Sequence, residues 1–193
     1  MFVLTVDQRR SRRDVDRVDK LIVELEDHDL VRPFQRTAGD EVQAVVSDPA
    51  TVVDLALELV ARKHWSTGIG VGPVEEPLPK ETRAGRGPAF ELARVAVERA
   101  KSSPGRVAVE GTDLDSAADA DTALSLVAVL VARRTDEGRE AIEQIRRGCT
   151  QTEAARALGI SKQAVSQRLS TAGLQIEIAG RRLTERLLKR ADI

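Results

Sequence analysis

Residues Arg32 to Val46 read RPFQRTAGDEVQAVV, two runs fit for strands, Arg32 to Thr37 and Glu41 to Val46, that meet at Ala38-Gly39-Asp40. Glycine at the tip of so short a connection signals a tight β-hairpin, because it takes the positive φ that such a turn demands. The patterns on either side decide what the hairpin belongs to. Before it stand a buried-strand run, FVLTV at Phe2 to Val6, and a long helical pattern carried by Val15, Val18, Leu21, Ile22 and Leu25. After it come an amphipathic helix over Pro49 to Lys63 and a strand, WSTGIGV, at Trp65 to Val71. A third helix over Ala89 to Ser102, with Leu92, Val95 and Val97 on its apolar side, leads to a last strand, RVAVE, at Arg106 to Glu110. This order predicts an α+β fold with a ferredoxin-like βαββαβ arrangement, extended by one helix and one strand. The stretch Gly72 to Gly87, rich in Pro, Gly and charge, is long for a loop of a compact domain, which marks it as functional or mobile.

From Thr112 onward the patterns are helical, over Ala117 to Arg134, Asp136 to Arg147 and around Ile178 to Arg190. Leu174, Ile176 and Ile178 alternate at period two, which leaves a short strand open there. The expected division is therefore an α/β domain over residues 1–111 and an all-α domain over 117–193.

The all-α part contains the most specific functional signal, TQTEAARALGISKQAVSQRLSTAG at Thr150 to Gly173. Thr150 and Glu153 have the spacing of a capping box. Ala154, Ala155 and Leu158 share one helical face, and Gly159 stands where a first helix would end in a left-handed residue. Ile160 fills the corner, and Ser161 is an N-cap for a second helix whose Val165 and Leu169 pack back on the first. The spacing predicts a helix-turn-helix over residues 150–173. Its outward face carries Lys162, Gln163, Ser166, Gln167 and Ser170, with Arg168 on the flank and Thr150, Gln151 and Ser161 at the helix starts. Gln pairs bidentately with adenine, and Lys or Arg neutralises phosphate, so these positions are expected to bind double-stranded DNA.

Bulk properties agree with that reading. The chain has 193 residues, 41% of them hydrophobic, which is enough for one medium or two small cores. Before Thr135 there are 19 basic and 23 acidic residues, and from it onward 11 and 8, so the positive excess lies in the part expected to meet DNA. The lone Cys149 excludes an internal disulfide framework and fits a reducing compartment. The apolar run at Met1 to Val6 is too short for a signal peptide and that at Leu124 to Ala132 too short for a membrane span, so a cytoplasmic location is expected. With 2% aromatic residues, stacking platforms for single-stranded nucleic acid are not expected.

The α/β part has its own constellation. Asp7 at the end of the first strand and Asp40 on the hairpin tip would lie side by side in a βαββ sheet, an arrangement that holds divalent ions against a triphosphate. Arg9, Arg10 and Arg12 in the next turn would face phosphate oxygens. The plainer alternative leaves Asp7 as a helix cap and Asp40 as a turn residue.

Several of these motifs resemble known families. Thr150 to Gly173 resembles the helix-turn-helix of sigma-factor region 4 and of LuxR-type response regulators. RTAGDEVQAVV at Arg36 to Val46 resembles the "KTIGDxxMAV" hairpin of class III nucleotidyl cyclases and, more distantly, the GGDEF hairpin. TGIGVGPV at Thr67 to Val74 resembles the cyclase "GIHTGPV" strand. A closer resemblance is to the SatD-like family, where "GDIVxSR", "GDEFQ", "GIGxG" and "GPAFxxAR" occur in order; this chain matches them at Val6-Asp7 to Arg12, Gly39 to Gln43, Gly68 to Gly72 and Gly87 to Arg94. The resemblance implies a nucleotidyl-cyclase-like fold with Asp7 and Asp40 at the metal positions, taking Mg²⁺ or Mn²⁺ with a nucleotide. It also places Arg36 where cyclases have a base-contacting lysine, Gly39 in the hairpin, and Arg94 at the transition-state arginine. The cyclase asparagine four residues before that arginine is Phe90 here, and the base-selecting residue seven before it is Arg83. One transition-state group is kept and one is missing, so no catalytic residue is expected.

The function expected from the sequence is a DNA-binding transcriptional regulator, a homodimer, with a degenerate cyclase-like domain that senses a nucleotide or another phosphorylated effector. The alternatives are an active nucleotidyl cyclase using two divalent ions and a non-enzymatic interaction module. Leu183, Leu187 and Leu188 on the terminal helix are the candidate dimer seam, unless they close the helical core.

Overall fold

The computed structural model describes residues 1–11 and 13–192. It is a mixed α+β protein in which one five-stranded sheet carries helices on both faces. The strands are β1 (Phe2–Gln8), β2 (Arg32–Arg36), β3 (Glu41–Val46), β4 (Trp65–Val71) and β5 (Val107–Gly111), in spatial order β2-β3-β1-β4-β5. β1 lies antiparallel to both β3 and β4, β2 antiparallel to β3, and β5 parallel to β4. Between the strands run α1 (Val18–Glu24), α2 (Pro49–Arg62) and α3 (Pro88–Ala100). Beyond the sheet come α4 (Leu114–Ala132), α5 (Asp136–Arg146), α6 (Gln151–Leu158), α7 (Lys162–Thr171) and α8 (Leu174–Ala191). Among the described residues no helix is long and apolar enough to cross a membrane.

Alternation along the strands sorts side chains to two unlike faces. Phe2, Leu4 and Val6 of β1, Val42, Ala44 and Val46 of β3, and Ile69 and Val71 of β4 join the main core with α2, α4 and α8. The opposite face is lined by Val3, Val45 and Ala108 and is covered by α3. That helix docks at short range because β4 meets it with Gly68 and Gly70, which have no Cβ. A Cβ at Gly68 would fall 2.1 Å from the Val97 amide nitrogen, and one at Gly70 would fall 2.0 Å from the Ala89 carbonyl oxygen. Ala89, Ala93, Ala96 and Ala100 form the matching small-residue stripe. The expected apolar side of this helix therefore needs correction: Val97 is buried, Leu92 is only partly so, and Val95 is 57% exposed.

Three further stretches of the sequence take definite forms. α1 is short, and Val15 is 65% exposed. The cause is Gln8, a buried amide that donates to the Val15 carbonyl at 2.7 Å and accepts from the Arg17 amide at 2.8 Å, so the backbone there is tied to β1 and not to a helix. The alternation at Leu174 to Ile178 lies inside α8 and forms no strand. The stretch Gly72 to Gly87 is pinned: Arg32 donates to the carbonyls of Leu78 and Pro79, Thr82 donates to the Pro33 carbonyl, and Gly85 lies flush on the Phe90 ring.

The cores also divide elsewhere than at Thr112. Leu124, Val127 and Val131 of α4 and Leu188 and Ala191 of α8 belong to the same core as the sheet, and Leu187 packs against it. Of the expected leucine seam only Leu183 is exposed. A second, small core holds Ala141, Ile142, Ala154, Ala155, Val165, Leu169, Ala172 and Leu174, with Leu158 and Ile160 against it. α5, α6 and α7 thus form a compact excursion between two helices of the α/β core.

Candidate nucleic-acid interface and cationic pocket

The α6–α7 pair is specified locally. The Thr150 amide donates to Glu153 Oε2 at 2.7 Å and the Glu153 amide to Thr150 Oγ1 at 3.3 Å, a complete capping box. Gly159 ends α6 in the left-handed conformation, φ 65° and ψ 30°. The Ser161 hydroxyl then accepts from the Ala164 amide at 3.1 Å and opens α7. With Val165 and Leu169 turned into the small core, Lys162, Gln163, Ser166, Gln167 and Ser170 are all exposed on α7. Among the described residues the Gln167 amide donates to Thr171 on its own helix, and the Arg168 guanidinium lies 3.8 Å from the Glu140 carboxylate of α5. Thr150 has both its amide and its hydroxyl engaged with Glu153, whereas Gln151 borders a 530 Å³ groove with Ser166 and Ser170.

At the end of β1 a second feature gathers part of the other predicted set. An open pocket of about 680 Å³ is lined by Asp7, Gln8, Arg9, Arg10, Ser11, Arg13, Asp40, Ser66, Lys101 and Arg106. Asp7, Asp40, Arg9 and Arg10 are thereby brought together; Arg12 lies outside the described residues. Arg36, Gly39 and Arg94 are not in this lining. Arg36 donates to Asp16 at 2.9 Å, to Asp19 at 3.0 Å and to the Gly39 carbonyl at 2.8 Å, and Arg94 is exposed on α3. Phe90, where cyclases carry asparagine, sits in a core with Val3, Val45 and Ala93 under the pinned loop. Its replacement by a polar residue would therefore open a hole in packing.

Six lining residues go beyond the predicted set: Gln8, Ser11 and Arg13 adjoin the predicted turn, and three come from distant segments, Lys101 at the end of α3, Arg106 before β5, and Ser66 on β4 facing Asp7. No motif or period marks these last three, since each arrives through the tertiary fold. Lys101 Nζ lies 3.3 Å from Asp7 Oδ2. Burial raises the Asp7 carboxyl above its ordinary range; Lys101 counteracts this, and the charge of Asp40 adds to it. Arg9 is lowered by burial and by the nearby charges of Arg106 and Arg10.

These surroundings fit a divalent ion poorly. Two carboxylates face five basic side chains, one carboxylate already has an ammonium partner, and no group of three or more metal-ligating side chains occurs among the described residues. A cation placed there meets a net positive lining. No protein-family model, curated protein or solved structure matches the chain.

Proposed function

We propose that the protein is a DNA-binding transcriptional regulator whose α/β domain receives a phosphorylated small molecule. The observation that carries this reading is the row of exposed polar side chains on α7, presented by two capped helices joined through a left-handed glycine. Read as a helix-turn-helix, the pair sets α7 into the major groove. Gln163 and Gln167 then reach base edges, while Lys162, Arg168 and the helix starts at Gln151 and Ser161 meet phosphates, Thr150 serving there as the cap of α6. The order β2-β3-β1-β4 with antiparallel neighbours supports a ferredoxin-like, cyclase-like reading of the first domain. A homodimer follows from operator recognition, because one such module buries little surface on DNA; exposed Leu183 would lie at the seam. The location consistent with these roles is cytoplasmic.

Capture of genomic DNA by the purified chain, followed by sequencing, tests the reading and yields the operator. Gln163→Ala and Gln167→Ala should each cost about 1–3 kcal/mol at the selected site and relax base preference. Lys162→Ala should weaken all sequences alike. Equal affinity for random and selected DNA at physiological salt would overturn the proposal. A second reading is an active nucleotidyl cyclase: Asp7 and Asp40 lining one pocket speak for it, and the positive lining around them speaks against it. Cyclic product from ATP or GTP with Mg²⁺ or Mn²⁺ would establish it.

A further inference from the structure

The pocket at the end of β1 differs from a metal-dependent nucleotide site in the sign of its charge. The chain as a whole is near neutral, at −1, yet this lining holds Arg9, Arg10, Arg13, Lys101 and Arg106 against Asp7 and Asp40. The ion pairs here join Lys101 to Asp7 and Glu98, and Arg17 to Asp14. Arg9 donates instead to the neutral Lys63 carbonyl at 2.8 Å. Among the described residues Arg9, Arg10, Arg13 and Arg106 therefore face the opening without a carboxylate partner, and like charges held this close repel.

The backbone adds an independent observation. Arg10 has φ 59° and Arg106 has φ 61°, left-handed conformations that a residue with a long side chain rarely adopts. Lys63, whose carbonyl receives Arg9, is the other non-glycine residue of this kind among those described. All three positive-φ side-chain residues thus border one pocket or contact its lining. Clustered backbone strain of this sort marks sites where side-chain placement matters more than local stability.

We propose that the Lys101 ammonium stands beside Asp7 in place of a divalent ion, and that the pocket binds a polyphosphate group directly on its guanidinium groups, without metal. This deepens, and rests on, the reading of the pocket as the effector site. Guanidinium forks match phosphate oxygens in bidentate geometry, and a group carrying three or four negative charges would neutralise the excess of the lining. Lys101 neutralises Asp7, which would otherwise repel the ligand.

Calorimetry on the full chain tests this with sodium triphosphate, pyrophosphate, ATP and GTP, each in EDTA and in Mg²⁺. Triphosphate is expected to bind in EDTA at least as tightly as in Mg²⁺, which chelates the free ligand and cancels part of its charge, and to weaken steeply with salt. Arg106→Gly removes one guanidinium while supplying a residue at ease with positive φ, so it should fold at least as stably as the parent and bind at least about tenfold more weakly. Lys101→Ala should lose binding in EDTA and regain it in Mg²⁺, as Asp7 becomes available to an ion. Nucleotides tighter than triphosphate would identify a nucleoside ligand, and equal affinities a bare phosphate chain; both agree with the proposal. Binding by the parent only in Mg²⁺ would overturn metal independence and leave the effector-site reading intact. No binding of any of the four in either buffer would overturn both.

Discussion

A carboxylate that is 1% exposed stays charged only where cations reach it, and Glu177 has three of them. Arg134 from the end of α4 donates to Oε2 at 2.7 Å, while Arg146 of α5 and Arg181 of α8 donate to Oε1 at 2.7 and 2.6 Å. Arg181 also pairs with Asp54 of α2, so one side chain ties the small helical core to the α/β core. Burial alone would raise the Glu177 carboxyl, but hydrogen bonds and charge from Arg181 and Arg134 outweigh it and hold it below the usual range. Removing it in Glu177→Ala strands the buried Arg134 and should cost about 3–5 kcal/mol, read from urea unfolding at pH 7. A lowered folded-state value means that this stability is complete above the ordinary glutamate value of about 4.3 and is lost as pH falls through the lower folded value. The gap in urea midpoint between the parent and Glu177→Gln should therefore narrow from pH 7 to pH 3. Gly68→Ala tests a different residue-scale claim. Its Cβ meets backbone, which cannot rotate away, so α3 must lift from β4 at a cost of about 2–3 kcal/mol, visible as a lower thermal midpoint.

At the scale of elements, β5 is an edge strand and an exposed edge invites pairing with other chains. Here the edge is covered by side chains. The Val109 amide donates to Asp121 Oδ1 at 2.7 Å, Arg99 donates to the Val109 carbonyl at 2.7 Å, and Arg99 and Asp121 are joined at 2.9 Å. Asp121→Ala should cost about 1.5–3 kcal/mol and make the protein associate as its concentration rises, measured by denaturation and light scattering. The α6–α7 pair is the element most legible in the sequence. Its capping box, left-handed glycine and serine cap are interactions between residues at most four apart, so their identities suffice to specify them. Gly159→Ala forces a Cβ into the left-handed region and should cost about 1–2 kcal/mol, with open space around it so that no clash contributes.

For the whole molecule the decisive fact is that α4 and α8 complete the sheet's core. A chain truncated after Gly111 would leave Phe2, Leu4, Ile69 and Val109 without Leu124, Val127, Val131 and Leu188, and should show no cooperative unfolding in calorimetry. Replacing Thr135 to Ala172 by a short glycine-serine turn should keep a cooperative transition, because Gly173 at the head of α8 already packs against Leu130 of α4. On the proposed function, the same chain should show no sequence-selective DNA binding in a gel-shift assay.

Local order was written in the chain itself. The hairpin at Gly39, the strand at Trp65 to Val71, the capped helices and the exposed row on α7 each follow from the period, the turn residues and the caps of a short stretch. Asp7 and Asp40 also follow, since the order of strands brings their ends together. What only the tertiary structure decided is which surface each apolar stripe meets. Periodicity says that Leu124 and Leu188 face inward, but whether they face each other or a sheet is a competition among all apolar surfaces of the molecule, and here both join the sheet's core. Lys101 and Arg106 reach Asp7 and Arg9 across some ninety residues of chain with no periodic mark at all. Charge carries no signature of its partner in a sequence, because Coulomb attraction depends on distance in space and the fold alone sets that distance.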